Sequence, residues 1–201
     1  MATTAPPDFV TLFKSAQDHL KATTGMLAAD VYLHLISLPG YSTSPQRQAL
    51  MRRIQEALFK SVPIIGVAHP WEAIMCIDTV TLPPDKDTSF FREHWKNDEA
   101  NHERGTQWLR KLYLENFDPI NEMFKTQRDF GWVSSEITYG LYLSDHTILN
   151  GTESKLVVLS GMIAQNLPRM TAWHLRIERV VEFAGVKLEP LPRVKDIEHE
   201  V

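Results

Sequence analysis

The chain has 201 residues, of which 43% are hydrophobic and 23% charged, a composition typical of a globular domain with a sizeable core. Its 21 Lys and Arg residues and 25 Asp and Glu residues give a formal net charge of −4, so no basic surface favours nucleic acid or anionic lipid as a partner. The single cysteine, Cys76, excludes an intramolecular disulfide and a C-x-x-C redox pair.

The N-terminal segment, MATTAPPDF, has neither the basic region nor the apolar stretch of a secretory signal. The longest apolar stretch, around LVVLSGMIA, is much shorter than the roughly 18 residues that span a bilayer. The C-terminal tripeptide, HEV, is not a peroxisomal signal. We therefore expect a cytoplasmic protein without a membrane segment.

Apolar residues recur at spacings of three and four, and sustained alternation is almost absent, which predicts an all-α fold. We expect about eight helices in one domain spanning 1-201, with N-terminal helices in 1-40 and a polar tail in 186-201. The predicted elements are, in chain order, a helix near Asp8, a helix over 26–38, a helix opened by Ser44 and Pro45, a helix opened by Pro70, one long helix over 87–116, a helical stretch over 118–143 with a weak point at Gly131, and two helices over 152–166 and 169–184.

Two segments of the chain resemble each other. LFKSVPIIGVAHPWEAIM from Leu58 and LVVLSGMIAQNLPRMTAW from Leu156 align without gaps. They share Leu58/Leu156, Ile65/Ile163 and Pro70/Pro168 at equal separations. Each describes an apolar helix, a break and a second helix, so we expect two related αα-hairpins.

His174 lies on an apolar stripe of the last predicted helix. The stripe contains Met170, Trp173, His174, Ile177, Val181 and Ala184. Two interpretations stay open. The imidazole is either a core histidine bonded to a backbone carbonyl, or a general acid/base in an enclosed pocket.

The segment TESKLVVLSGMIAQNLPRMTAWHLRIERVVEFAG resembles the central part of the carboxymuconolactone decarboxylase and alkylhydroperoxidase D (AhpD-like) superfamily. RRIQEALFKSVPIIGVAHPWEAI is similar to the other helix pair of that fold. Fungal AhpD-like proteins share the pattern that is formed here by Gly131-Trp132-Val133, Tyr139-Gly140, Gln165-Asn166 and Trp173-His174-Leu175-Arg176. The resemblance covers 50-185 and implies an AhpD-like helical domain that forms a homo-oligomer (dimer, trimer or hexamer).

The resemblance implies that the redox chemistry of the peroxidase members is lost. Their two cysteines correspond to Leu167 and Met170, their intervening histidine to Arg169, and their relay glutamate to Lys155, so that only His174 remains. Thioether and isobutyl groups cannot cycle between dithiol and disulfide. The chain therefore fits the non-redox branch, whose decarboxylase members keep the histidine.

A neutral-range imidazole can move a proton on carbon next to a carbonyl, the step shared by isomerisation, lactone opening and decarboxylation. We expect a cofactor-free enzyme that acts on a small unsaturated or aromatic keto acid or lactone through His174. Lys155, Arg169 and the Tyr139 hydroxyl are candidates for stabilising the enolate, although Lys155 and Arg169 are equally interpreted as solvated helix ends.

Glu136 precedes Tyr139 by three residues, so it can share its helix face and either orient the imidazole of His174 or act as a second acid. Trp132 and Trp173 are candidates for the walls of a substrate pocket, or else ordinary core and subunit-contact residues.

Two other functions stay open. A non-catalytic AhpD-like scaffold or ligand-binding protein would have His174 sealed in its core. A metal-dependent enzyme would use one helix face, with its ligands drawn from His94, Asp98, Glu99 and His102, although no second Glu-x-x-His completes a di-iron site. Glu56, beside Arg52 and Arg53, is either part of an exposed ion-pair face or a minor site residue.

Overall fold

The computed structural model describes residues 26–175, and these residues are all helix, turn or connecting segment without a strand. The all-α prediction is therefore confirmed. None of the helices between residues 26 and 175 combines the length and apolar character that crossing a bilayer requires. The predicted helix near Asp8, the part of the last predicted helix over 176–184 and the predicted polar tail lie outside the described residues. The helices are α1 (Met26–Ile36), α2 (Ser44–Ile65), α3 (Ala68–Val80), α4 (Glu99–Tyr113), α5 (Phe117–Met123), α6 (Arg128–Trp132), a π-helix (Val133–Leu143), α7 (Gly151–Ala164) and α8 (Pro168–Leu175).

The predicted long helix over 87–116 is wrong in its first half. Residues 86–98 are irregular, and α4 begins only at Glu99. Asp98 is the N-cap, and its carboxylate accepts a hydrogen bond from the backbone N–H of Asn101 at 3.1 Å. A carboxylate that caps a helix start in this way favours a boundary over a continuous helix. The expected weak point at Gly131 is displaced as well, because the interruption falls at residues 124–127.

The two segments that resemble each other in sequence each lie in a pair of adjacent helices. Gly66, at φ 81°, ends α2, and α3 returns against it, while α8 returns against α7. Helix α2 also packs on α7, where a Cβ added to Gly161 would come within 2.9 Å of the Ile64 side chain. The pairs lie where two αα-hairpins were expected. Their duplication, and the AhpD-like identity of the fold, stay predictions.

The buried apolar residues form two clusters. One cluster joins α1, α2 and α3 through Tyr32, Met51 and Ile77. The other joins α4, α5, the π-helix and α7, and its members are Leu109, Leu112, Phe117, Tyr139, Leu143, Val158 and Met162. This second cluster forms one side of the cavity described below.

Helix α4 and the π-helix approach each other through small residues. A Cβ on Gly105 would meet the backbone N of Gly140 at 2.8 Å, and a Cβ on Gly140 would meet the Asn101 amide at 2.6 Å. Asn101 is fully buried, and its Nδ2 donates to the Glu136 carbonyl at 2.9 Å. The contact therefore fixes the π-helix segment that carries Glu136 and Tyr139.

A buried ionic network ties α2 to the end of the π-helix. Arg92 donates to Glu56 at 2.7 Å, and Lys60 Nζ lies 3.5 Å from the same carboxylate. Lys60 also donates to the carbonyls of Leu143, at 3.3 Å, and Asp145, at 2.5 Å. Glu56 is thus neither an exposed ion-pair member nor a lining residue of the cavity.

We expect Gly105→Ala to lower the free energy of unfolding by about 1–3 kcal/mol, because the added methyl group clashes with backbone atoms of the π-helix. Gly40→Ala is the matched control, since a Cβ there meets nothing within 4 Å. Urea denaturation of both variants measures the difference. Equal stability of the two variants would contradict the close packing of α4 on the π-helix.

Candidate active site

A cavity of about 730 Å³ lies between α4, α5, α6, the π-helix and α8. Its volume is in the range of small-molecule sites. None of its lining residues within the described part of the chain is acidic, whereas Arg110, Lys125 and Arg128 contribute positive charge. Its aromatic lining residues are Tyr113, Phe117, Phe124, Phe130, Trp132, Tyr139 and Trp173.

His174 lies in the inner wall of this cavity and is only 2% exposed. Burial, together with the nearby charge of Lys155, lowers the pKa of His174 to about 3. Its Nδ1 is buried and has no hydrogen-bond partner among the described residues. At neutral pH the ring is therefore neutral and borders the cavity, and within residues 26–175 its Nδ1 has no backbone carbonyl as a partner.

Lys155, on α7, is 3% exposed, and its Nζ is buried without a hydrogen-bond partner among the described residues. Burial lowers the pKa of Lys155 to about 8. The side chain borders a separate void of about 10 Å³, room for roughly one water molecule, which His174 and Tyr139 border too. Lys155 thus lies behind the wall of the cavity, next to His174 and Tyr139, and does not line the cavity itself.

Two tyrosine hydroxyls form a pair in the wall. Tyr113 and Tyr139 have their hydroxyl oxygens 3.1 Å apart, and the Tyr113 ring lies edge-on to His174 with centroids 6.3 Å apart. Burial raises the pKa of Tyr113 and holds that of Tyr139 well above 10. Both hydroxyls stay protonated at neutral pH; one donates to the other, and the second keeps its hydrogen for a ligand.

Glu136 contacts a different imidazole from the one expected. Its Oε1 lies 2.5 Å from Nδ1 of His102, and the Ser135 hydroxyl donates to the same oxygen at 2.9 Å. The hydrogen bond with Glu136, and more weakly the charge of Glu99, raise the pKa of His102. His102 lines the cavity and its side chain is 50% exposed. The expectation that Glu136 orients His174 finds no contact to support it.

Of the remaining expected site residues, two line the cavity and one does not. Trp132 and Trp173 both line the cavity, Trp132 with about half of its surface exposed. Arg169 is exposed and is not a lining residue, so its position does not support a role in substrate binding.

The helix face that the alternative metal-dependent function would need is not formed among residues 26–175. His94 precedes α4 in an irregular segment and its side chain is 90% exposed, while Asp98 caps the helix. Between residues 26 and 175 no three His, Cys, Asp or Glu side chains cluster as metal ligands. The helical spacing on which that hypothesis depended is wrong for His94, because α4 begins five residues after it.

Sequence reasoning missed Tyr113 and the catalytic potential of His102. Both lie on one stripe of α4 that lines the cavity: His102, Thr106, Leu109 and Tyr113. Spacings of four, three and four place these residues on one helix face. That mixed polar and apolar stripe is the signal that could have indicated a cavity wall rather than a core.

We expect Lys155→Met to raise the free energy of unfolding by about 1–3 kcal/mol, because methionine keeps a similar shape and removes a buried ammonium that has no hydrogen-bond partner among residues 26–175. Lys60→Met is the matched control at an equally buried lysine whose ammonium is fully paired. We expect that variant to lose about 1–3 kcal/mol. Urea denaturation measures the change in the free energy of unfolding of both variants, which should be positive for Lys155→Met and negative for Lys60→Met. A decrease for Lys155→Met would contradict this account.

We expect the pH dependence of stability to report the burial of His174. The pKa of His174 is about 3 in the folded chain and roughly 6.5 unfolded, so the unfolded chain binds more protons between these values. Stability should therefore fall as pH drops from about 7 towards 3, by up to about 1.4 kcal/mol per pH unit from this group. His174→Gln should show the smaller slope in urea denaturation at several pH values. Identical slopes would place His174 in solvent.

No protein-family model matches the chain, and neither a curated protein nor a solved structure matches it. The functional inference therefore rests on the geometry of the cavity itself.

Proposed function

We propose that this chain is a cofactor-independent acid–base enzyme of the decarboxylase, lyase or isomerase type that acts on a small unsaturated or aromatic keto acid or lactone. One observation carries the proposal. The cavity brings a neutral imidazole, His174, and two protonated hydroxyls, those of Tyr113 and Tyr139, to the surface of a single small-molecule site.

The lining favours an anionic, flat substrate. Aromatic side chains on several elements offer faces on which an aromatic or conjugated ring can pack. Arg110, Lys125 and Arg128 supply the only charged side chains of the lining within the described residues, and all three are cations. Lys125 is paired with Glu122, and Arg110 lies 3.9 Å from Asp118. Arg128 is the lining cation without an ion-pair partner among the described residues, so it is available to bind a substrate carboxylate.

The inner wall suits an enolate. A carbonyl oxygen that approaches Tyr139 can accept a hydrogen bond from its hydroxyl, which strengthens as negative charge develops on that oxygen. A buried neutral imidazole of low pKa can polarise a carbonyl in the same way. The charge of Lys155 behind His174 favours the enolate electrostatically, and a low-dielectric wall increases that effect.

The same pKa makes His174 a weak base, because efficient proton transfer needs a pKa near the working pH. We assign His174 to the carbonyl side of the reaction, where the neutral ring can donate a hydrogen bond to the carbonyl oxygen and transfers no proton. Removal of the substrate proton requires a second group with a higher pKa.

Deuterium exchange tests the proposal directly. In D₂O, the chain is expected to accelerate exchange at the carbon next to the carbonyl of phenylpyruvate, or isomerisation of α-angelica lactone, both followed by proton NMR. Tyr139→Phe should lower the rate by ~10²–10³-fold, since it removes one enolate donor and keeps the ring. Tyr142→Phe is the matched control, because Tyr142 stacks on Phe59 and does not line the cavity. No acceleration of either probe by the unmodified chain would contradict the proposal.

A ligand-binding protein without catalysis is the second candidate. It is favoured by the burial of His174, of which only 2% is exposed. In the same experiment this candidate predicts that phenylpyruvate raises the melting temperature without any exchange of its protons.

We also propose that the chain works in the cytoplasm as an AhpD-like homo-oligomer. Trp71 and Met75, one turn apart on α3, are each about 60% exposed, and Leu27 and Val31 on α1 are exposed too. Exposed apolar groups of this kind are typical of subunit contacts.

A further inference from the structure

His102 is the second imidazole of the cavity, and it differs from His174 in every property that matters to a base. It lies on the first turn of α4, lines the cavity and is half exposed, whereas His174 is almost fully buried. A carboxylate contacts His102, whereas no described residue is bonded to Nδ1 of His174.

The contact with Glu136 defines which nitrogen is free to react. Glu136 Oε1 lies 2.5 Å from Nδ1, so in the neutral ring Nδ1 carries the hydrogen and donates it to the carboxylate. The lone pair is then on Nε2, on the opposite side of the ring. The same pairing of a carboxylate with one imidazole nitrogen prepares the other nitrogen as a base in hydrolytic triads.

Glu136 is held rigidly enough to fix the ring. Its side chain is 10% exposed, and the Ser135 hydroxyl donates to Oε1 at 2.9 Å. Its backbone carbonyl accepts from the buried Asn101 amide at 2.9 Å. Asn101 immediately precedes His102 on α4. The contact between α4 and the π-helix therefore fixes the positions of both His102 and Glu136.

We infer that His102 is the general base of the proposed reaction and that Glu136 is its positioning residue, an assignment that rests on the proposed function above. Nε2 takes the proton from the carbon next to the substrate carbonyl. The electron pair of that C–H bond becomes the C=C bond of the enolate, and the carbonyl π electrons move to the oxygen that accepts from Tyr139. The proton returns to another carbon or to the same one, so no oxidant or reductant is consumed.

The electrostatics support this division between the two histidines. The carboxylates of Glu136, from the π-helix, and Glu99, from α4, act on His102 and stabilise the imidazolium that forms. The pKa of His102 is raised, whereas burial and Lys155 lower the pKa of His174 to about 3. His102 is therefore the stronger base of the two rings, and His174 stays neutral beside the carbonyl.

Exchange of phenylpyruvate protons in D₂O tests the assignment with matched variants of the full chain. His102→Gln should lower the exchange rate by ~10²–10⁴-fold with unchanged affinity for phenylpyruvate, because the base is lost while the cavity is kept. His94→Gln is the control, since His94 is an exposed histidine that lies 3.9 Å from Glu93 and away from the cavity. That control should exchange at the rate of the unmodified chain.

Glu136→Gln provides a second test, the pH at which the exchange rate is half-maximal. Loss of a purely structural contact would not change this midpoint. In the unmodified chain the exchange rate should rise with pH as His102 loses its proton. The variant should shift the midpoint of that rise to lower pH, because the carboxylate that raises the pKa of His102 is gone. Glu93→Gln is the control and should keep the midpoint unchanged.

The outcomes separate the two proposals. Exchange at the unmodified rate in His102→Gln, or an unmoved midpoint in Glu136→Gln, overturns the assignment of the base and leaves the acid–base function standing. Absence of exchange in the unmodified chain overturns the function itself and the assignment with it. If His102→Gln does not fold, the midpoint of Glu136→Gln decides alone.

Discussion

The close packing of α4 on the π-helix is the constraint on which the candidate site depends. Two glycines, Gly105 and Gly140, let the backbones approach, and the Asn101 amide then bonds the Glu136 carbonyl across the contact. π-Helical geometry is rare and is frequently found at functional sites. Here it places Glu136 against His102, and Tyr139 in the cavity wall, so one helix contact positions both the proposed base and the proposed enolate donor.

Two buried lysines, Lys60 and Lys155, differ in whether their ammonium groups have hydrogen-bond partners among the described residues. Lys60 has carbonyl and carboxylate partners on every side, as buried charges in protein cores usually do. Lys155 is equally buried and has no partner among the described residues. An unpaired buried ammonium costs stability, and such costs concentrate at sites where a ligand or a developing charge supplies the partner.

The two histidines show that burial and partners decide the chemistry of a side chain. His174 on α8 is neutral because it is buried and lies near Lys155, whereas contact with Glu136 raises the pKa of His102 on α4. Enzymes often separate the pKa values of like groups in this manner, so that one acts on the proton and the other on the carbonyl. Neither role follows from residue type alone.

The helical class, most helix boundaries and the apolar stripe that carries His174 could be read from local spacing, because helix periodicity and capping residues act over a few positions. Local spacing also suggested a continuous helix through His94, which the cap at Asp98 interrupts. The partner of Glu136 could not be read in this way, since 34 residues separate it from His102 and only the contact of α4 with the π-helix joins them. The sequence by itself determined the helices and the ionisable groups, whereas the tertiary structure decided which groups are buried, which are paired and which face the cavity, because desolvation and charge pairing depend on neighbours that are distant along the chain.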